Sequence, residues 1–307
     1  MTDTARPSKA LLLHEVGLRD GLQMESRVVP LEKKAAWLAD LMGSGVDVIQ
    51  AGSFVHPGKV PQMADTDELF RRFTSDKKSP AVLSGLVLNE KGLERGLACG
   101  VELFCMGASA SETHSLKNTG MGTDEAVPRI IAAAKTAAAA GKKVQVSVQS
   151  AFGCGFEGRI PEERVLKIVR AYVEAGLRNI SLADTAGHAH PAQVERMFSA
   201  VLALDPEVDC ACHFHNTYGL GMANIFAAMR AGVTSFETSF AGLGGCPFTK
   251  VAAGNVATED FVHVLQLEGL RKEVSLDRLL AVARDAASYF GRDMQGFVYK
   301  TGAIPGI

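Results

Sequence analysis

Cysteine is sparse and scattered. Six occur in 307 residues, and only Cys210 and Cys212 lie close together. That pattern excludes a secreted disulfide scaffold and fits reduced thiols in a cytoplasm. The chain also lacks a dominant charge. Lys and Arg number 32 against 34 Asp and Glu, a formal net charge of -2, so no nucleic-acid or membrane-surface partner is expected. Long apolar runs are missing as well. The longest, around residues 130–140, is Ala-rich and interrupted by Lys135, so no membrane span is read. The first ten residues hold Asp3, Arg6, Pro7 and Lys9 without an apolar segment, and no secretory leader is read there. No Pro/Ser linker and no repeat divides the chain. With 47% hydrophobic and 21% charged residues it has ordinary globular usage, which excludes disordered and fibrous classes. A single cytoplasmic domain over residues 1–307 is expected.

What is present is an alternation. β-Branched runs at Leu11–Val16, Val46–Ala51, Ala81–Val87, Val101–Met106, Lys143–Val148, Asn179–Ala183, Asp209–His215 and Ser235–Ala241 read as strands. Between them lie helical patterns such as Leu31–Met42, Leu93–Cys99, Asp124–Ala140, Pro161–Ala175, Pro191–Leu204 and Leu220–Ala231, several closed by a glycine such as Gly141 or Gly176. Eight strand–helix units in about 250 residues predict a closed parallel (β/α)8 TIM barrel. An open doubly wound sheet is the rival, but its G-x-G-x-x-G turn is missing after the first strand, where Gly17 and Gly21 flank Arg19 and Asp20. The barrel is assigned to residues 10–270. A C-terminal extension, residues 271–307, carries one extra helix, Leu276–Tyr289, and a frayed tail.

A barrel places its chemistry at the C-terminal ends of its strands. Polar residues occur there: Arg19, Asp20 and Gln23 after the first strand, Gln50 and Ser53 at the second, Asp184 at the sixth, and His213, His215 and Asn216 at the seventh. Residues two apart on a strand share a face. His213 and His215 therefore point together, as a two-imidazole metal edge or as polar lining without metal. Cys210, Cys212 and Phe214 have the opposite parity, which disfavours a Cys/His zinc site. Asp20 is either a third ligand or a helix cap. Arg19 carries a permanent planar cation suited to an oxyanion formed during reaction. The glycine-rich run from Gly242 to Pro247 reads as a mobile lid carrying Cys246.

Several longer motifs occur together and in order: residues 15–23 (Glu15 to Gln23), Ser53-Phe54-Val55-His56-Pro57, Ser109-Ala110-Ser111-Glu112, residues 213–219 (His213 to Gly219), residues 241–247 and residues 254–260. As a set they resemble the 3-hydroxy-3-methylglutaryl-CoA lyase family over roughly residues 10–270. The resemblance implies a carbon–carbon lyase, acting in leucine degradation, that cleaves hydroxymethylglutaryl-CoA to acetyl-CoA and acetoacetate. It implies Mg²⁺ or Mn²⁺ on Asp20, His213, His215 and Asn255, with Arg19, Asp20, His213 and Cys246 in catalytic roles. Gln23, Gln50 and Asp184 would line the substrate site. An acyl-CoA substrate and a homo-oligomer are implied too.

One residue departs from the family pattern. Residues 48–54 carry Gln50 where a glutamate is expected. An amide removes a negative charge and adds a donor at nearly constant shape. That keeps open a related hydroxyacyl-CoA lyase, for instance on citramalyl-CoA or a longer-chain analogue, a Claisen-type condensing enzyme, and a non-catalytic acyl-CoA-binding barrel.

Overall fold

The computed structural model describes residues 10–75, 77–245 and 253–305. Eight parallel strands close on one another in sequence order. They are β1 (Leu12–Glu15), β2 (Val48–Ser53), β3 (Val82–Leu86), β4 (Leu103–Ser109), β5 (Lys143–Gln149), β6 (Asn179–Asp184), β7 (Asp209–Phe214) and β8 (Ser235–Thr238). Closure is made by β1 against β8, from Leu12 opposite Ser235 to Glu15 opposite Thr238. The barrel expectation holds.

The outer ring consists of α1 (Leu31–Met42), α2 (Thr66–Thr74), α3 (Glu90–Ala98), α4 (Glu112–Thr119), α5 (Thr123–Ala139), α6 (Glu162–Glu174), α7 (Pro191–Leu202), α8 (Gly221–Arg230) and α9 (Thr258–Leu267). The segments α2, α4 and α9 are not among the helices singled out from periodicity. Each of the first two has only about two turns, too short for a 3.6-residue period to stand out. The first turn of α9 continues directly from the Asn255 loop. The described helices include none long and apolar enough to cross a membrane.

Outward-pointing strand residues and inward faces of the helices make the apolar core, with Trp37, Tyr172, Phe104, Phe198 and Phe214 among its fully buried side chains. Phe214 lies 5.6 Å from Phe152, which in turn meets Phe198 of α7. The inside of the barrel is different. Strand register puts His14, Gln50, Ser84, Gln145, His213 and Glu237 on the inner face, all buried. Many barrels fill this space with branched aliphatic side chains. Here polar groups do so, and several pair with one another: His14 Nε2 meets Ser84 Oγ at 2.9 Å, and Cys105 Sγ lies 3.5 Å from Gln145 Oε1.

The C-terminal extension carries the expected helix, α10 (Leu276–Phe290), plus a short α11 (Val298–Thr301). The tail expected to fray instead packs under the barrel mouth. Gly296 N donates to Ala241 O, Gln295 Oε1 accepts from Gly254 N, and the amides of Phe297 and Val298 donate to the Asp260 carboxylate. Backbone donors that a loose tail would leave to water are bonded to the loops beside the site.

Candidate active site

The turn after β1 builds the first wall. Residues 17–21 form a single π-helical turn, with the amides of Arg19, Asp20 and Gly21 all donating to Val16 O. Glycine is needed at both ends. A Cβ on Gly17 would lie 2.4 Å from the Phe240 ring, and one on Gly21 would lie 2.9 Å from Leu243 Cβ. The turn thus presses against residues 240–243, which follow β8, and projects Arg19 and Asp20 over the barrel mouth.

Asp20 is the centre of the cluster. Its Oδ2 lies 3.7 Å from His213 Nε2 and 3.6 Å from His215 Nε2, and accepts from Asn255 Nδ2 at 2.8 Å. Its Oδ1 accepts from Arg19 Nη1 at 2.6 Å and from Gln23 Nε2 at 3.3 Å. Burial alone would raise the Asp20 pKa, but Arg19, both imidazoles and Asn255 hold it well below the usual carboxylate range. His213 is the last inward residue of β7, and His215 lies just past the strand, bridged to Asn255. Burial pushes His215 down to about 4, so it stays a neutral donor at pH 7. Burial also opposes charge on His213, but the Glu237 hydrogen bond and the Asp20 charge outweigh it and raise that group.

Both imidazoles turn Nε2 toward Asp20. Behind them, His213 Nδ1 meets Glu237 Oε2 at 3.0 Å, and His215 Nδ1 meets Ala253 O at 3.4 Å. One ligand atom from each of Asp20, His213 and His215 lies within 4.8 Å of the others, and all three residues are buried. Asn255 Oδ1 is buried close by without a hydrogen-bond partner. A buried, unpartnered carbonyl oxygen beside two imidazoles and a carboxylate is a donor set that fits a divalent cation, Mg²⁺ and Mn²⁺ included.

Arg19 is held by two acceptors, Asp20 Oδ1 through Nη1 and Gln50 Oε1 through Nε. Gln50, an inward residue midway along β2, therefore reaches the mouth through Arg19. The structure brings together Arg19, Asp20, Gln23, Gln50, His213, His215 and Asn255. It does not bring Asp184 to them. Register pairs Asp184 with Phe214 on the outward face, and its carboxylate accepts from His188 N at 2.8 Å and Ala189 N at 3.0 Å. Asp184 organises the loop after β6. Burial pushes its pKa up to about 7, the loop amides pulling the other way. Of the run read as a lid, Gly242 to Gly245 are described, whereas Cys246 and Pro247 lie outside the described residues.

The neighbours that sequence reading missed are His14, Glu15, Glu237 and Glu259. His14 and Glu237 carry a signal that was available, an ionisable residue at an inward strand position. Glu15 and Glu259 hold backbone. Glu15 accepts from Gly17 N, Phe240 N and Thr258 Oγ1, tying the Asp20 turn to the segments around the Asn255 loop. Glu259 accepts from Ala241 N, where φ is 59°.

Two results are expected from this support. A Cβ on Gly254 would sit 1.9 Å from Gly242 O, a backbone atom that cannot swing aside. Gly254→Ala should therefore lower stability by about 1–3 kcal/mol and weaken cation retention, because Asn255 is the next residue. Thermal unfolding and metal titration check both. The second result concerns pH. Burial raises Glu15 to about 7 and Glu259 to about 8, from an ordinary value of 4.5. Over that window the folded protein holds protons that the unfolded chain releases. Stability from these groups is fully present below pH 4.5 and is lost as pH rises to 7 and 8, with a slope of up to about 1.4 kcal/mol per pH unit per group. Urea unfolding of Glu259→Gln should show a flatter decline between pH 5 and 8 than the parent protein. An unchanged slope would show that Glu259 does not titrate there.

A closed (β/α)8 barrel with a buried aspartate–dihistidine–asparagine cluster at its C-terminal mouth defines a barrel enzyme equipped to hold a divalent cation. Comparison with known proteins narrows the class. Residues 10–285 match the HMGL-like family, and the chain belongs to it. The hydroxymethylglutaryl-CoA lyase YngG of Bacillus subtilis is 36% identical over 286 residues, covering 93% of this chain and 95% of YngG. The hydroxymethylglutaryl-CoA lyase of Pseudomonas mevalonii is 36% identical over 92% of this chain and 93% of its own. The structure of an HMG-CoA lyase from Acinetobacter baumannii, in complex with coenzyme A and 3-methylmalate, superposes with a TM-score of 0.90 at 36% identity, covering 97% of each chain. The protein is an oxo-acid lyase of the hydroxymethylglutaryl-CoA lyase type.

Proposed function

We propose that this single-domain barrel cleaves 3-hydroxy-3-methylglutaryl-CoA to acetyl-CoA and acetoacetate with Mg²⁺ or Mn²⁺, in the cytoplasm and as a homo-oligomer, in leucine degradation. The observation that carries the reading is the convergence of Asp20, His213, His215 and Asn255 beside the Arg19 guanidinium. When bound there, a divalent cation supplies Lewis acidity that lowers the pKa of the substrate's tertiary hydroxyl.

The chain's own groups account for the rest. A base at the mouth takes the hydroxyl proton, either Asp20 or the His213 imidazole, which adjoin each other. The C2–C3 bonding pair passes into the thioester, giving its enolate, while C3 becomes the ketone of acetoacetate. Protonation of the enolate at C2 yields acetyl-CoA. Arg19, clamped by Asp20 through Nη1 and by Gln50 through Nε, would set its guanidinium against the developing negative charge. The proposed roles of Gln23 and Gln50 are to hold the Asp20 and Arg19 side chains, and of Cys246 to serve on the lid. Asp184 acts on substrate through the loop it organises. Coenzyme A in the related Acinetobacter structure supports an acyl-CoA substrate here.

Product identification with a panel of hydroxyacyl-CoA thioesters, with and without metal, tests the reading. Metal-dependent release of acetoacetate from hydroxymethylglutaryl-CoA is expected. No thioester cleavage on any substrate would leave only an acyl-CoA-binding barrel.

Gln50 favours a second reading, a related hydroxyacyl-CoA as the true substrate. Its amide oxygen accepts from Arg19 where a glutamate would form an ion pair. If hydroxymethylglutaryl-CoA is the substrate, Gln50→Glu should raise kcat/KM on it. If the substrate is citramalyl-CoA or a similar thioester, the same change should lower kcat/KM there. Equal values on both within about twofold would show that the position is silent.

A further inference from the structure

We infer that Glu237 is a positioning residue for the cation site, holding the His213 ring from inside the barrel and supplying the site's second buried negative charge. The inference rests on the metal-dependent reading above. Glu237 lies on β8, in register with His14 of β1 and His213 of β7, so its side chain enters the barrel directly beneath the histidine pair. Its Oε2 is 3.0 Å from His213 Nδ1, while its Oε1 is buried without a partner.

Two physical consequences follow. A carboxylate behind Nδ1 places the imidazole proton there, leaves the Nε2 lone pair facing Asp20, and makes that nitrogen a stronger donor. The two histidines are not equivalent in this respect. His215 is backed only by the Ala253 carbonyl at 3.4 Å. The second consequence is charge. Asp20 and Glu237 are two buried carboxylates beside one guanidinium, Arg19, and Gln50 contributes no charge. Imidazoles that ligate a cation are neutral, so in that state the side chains carry one net negative charge, which a dication reverses. Without Glu237 the same dication would leave a net charge of about two in a buried site, which is costly.

Mn²⁺ binding to the intact metal-free protein tests this, by calorimetry and by the electron paramagnetic resonance signal of free Mn²⁺. Glu237→Gln keeps the shape and loses the charge, and it should weaken Mn²⁺ binding about 10- to 100-fold. Glu237→Asp keeps the charge but withdraws it from Nδ1, and its loss should be smaller. Cys212→Ala perturbs the outward side of β7, the strand that carries His213, and should leave Mn²⁺ affinity unchanged. Thermal unfolding of each metal-free variant checks the fold, and Glu237→Asp carries the test if Glu237→Gln does not fold. Parent-like Mn²⁺ affinity in the folded Glu237 variants would overturn the positioning role alone. A parent protein that takes up no Mn²⁺ would overturn the metal-dependent reading with it.

Discussion

Arg19→Lys is expected to reduce kcat by about 10²- to 10³-fold, nearly as much as Arg19→Met. Arg19 is held through two different nitrogens, Nη1 on Asp20 and Nε on Gln50, a geometry that a single ammonium cannot reproduce. A lysine would keep the charge and lose one of the two anchors, so the donor would no longer be aimed in advance. The enolate charge appears only as the C2–C3 bond opens. Loss of its stabilisation therefore lowers kcat and kcat/KM together. Steady-state kinetics on the active thioester, with metal content measured alongside, separates this from a binding defect. A raised KM with unchanged kcat would reduce Arg19 to a binding contact and remove it from the chemistry.

Asp20→Ala is expected to lose both cation retention and turnover, with metal affinity falling by more than about 100-fold. Asp20 joins Arg19, Asn255, His213 and His215 through its two oxygens. Its removal leaves Asn255 and a guanidinium buried without their shared acceptor, so the ligand geometry goes with the charge. Cys212→Ala serves as the control because Cys212 faces the helix layer, opposite to His213. Metal analysis after dialysis should show an empty Asp20→Ala protein and a loaded Cys212→Ala protein. Full metal content in both would place the cation elsewhere.

Strand parity was enough to predict which faces of β7 carry His213 and Phe214, because side-chain alternation is a local property of extended backbone. Strand-end position alone did not say which way Asp184 faces. It sits at the end of β6 as expected, but its parity follows Phe214 and its oxygens are used by the loop amides. Asn255 was reached only through resemblance, for a related reason. It lies beyond any strand, and its approach to Asp20 depends on a bridge to His215 and on the close passage of Gly254 past Gly242.

The eight-unit alternation, the barrel it builds, and the mouth-end placement of Arg19, Asp20 and His213 follow from periodicity and strand ends, which are properties of the chain read in order. The helices α2 and α4 escaped that reading because two turns carry little period. The polar barrel interior, the Glu237 contact behind His213, and the Glu15 and Glu259 carboxylates that brace the mouth exist only once the strands pair and the barrel closes. Closure sets β8 beside β1, bringing His14 and Glu237, more than two hundred residues apart, into register. No local pattern encodes that meeting, because the contact belongs to the ring of strands and to no single strand within it.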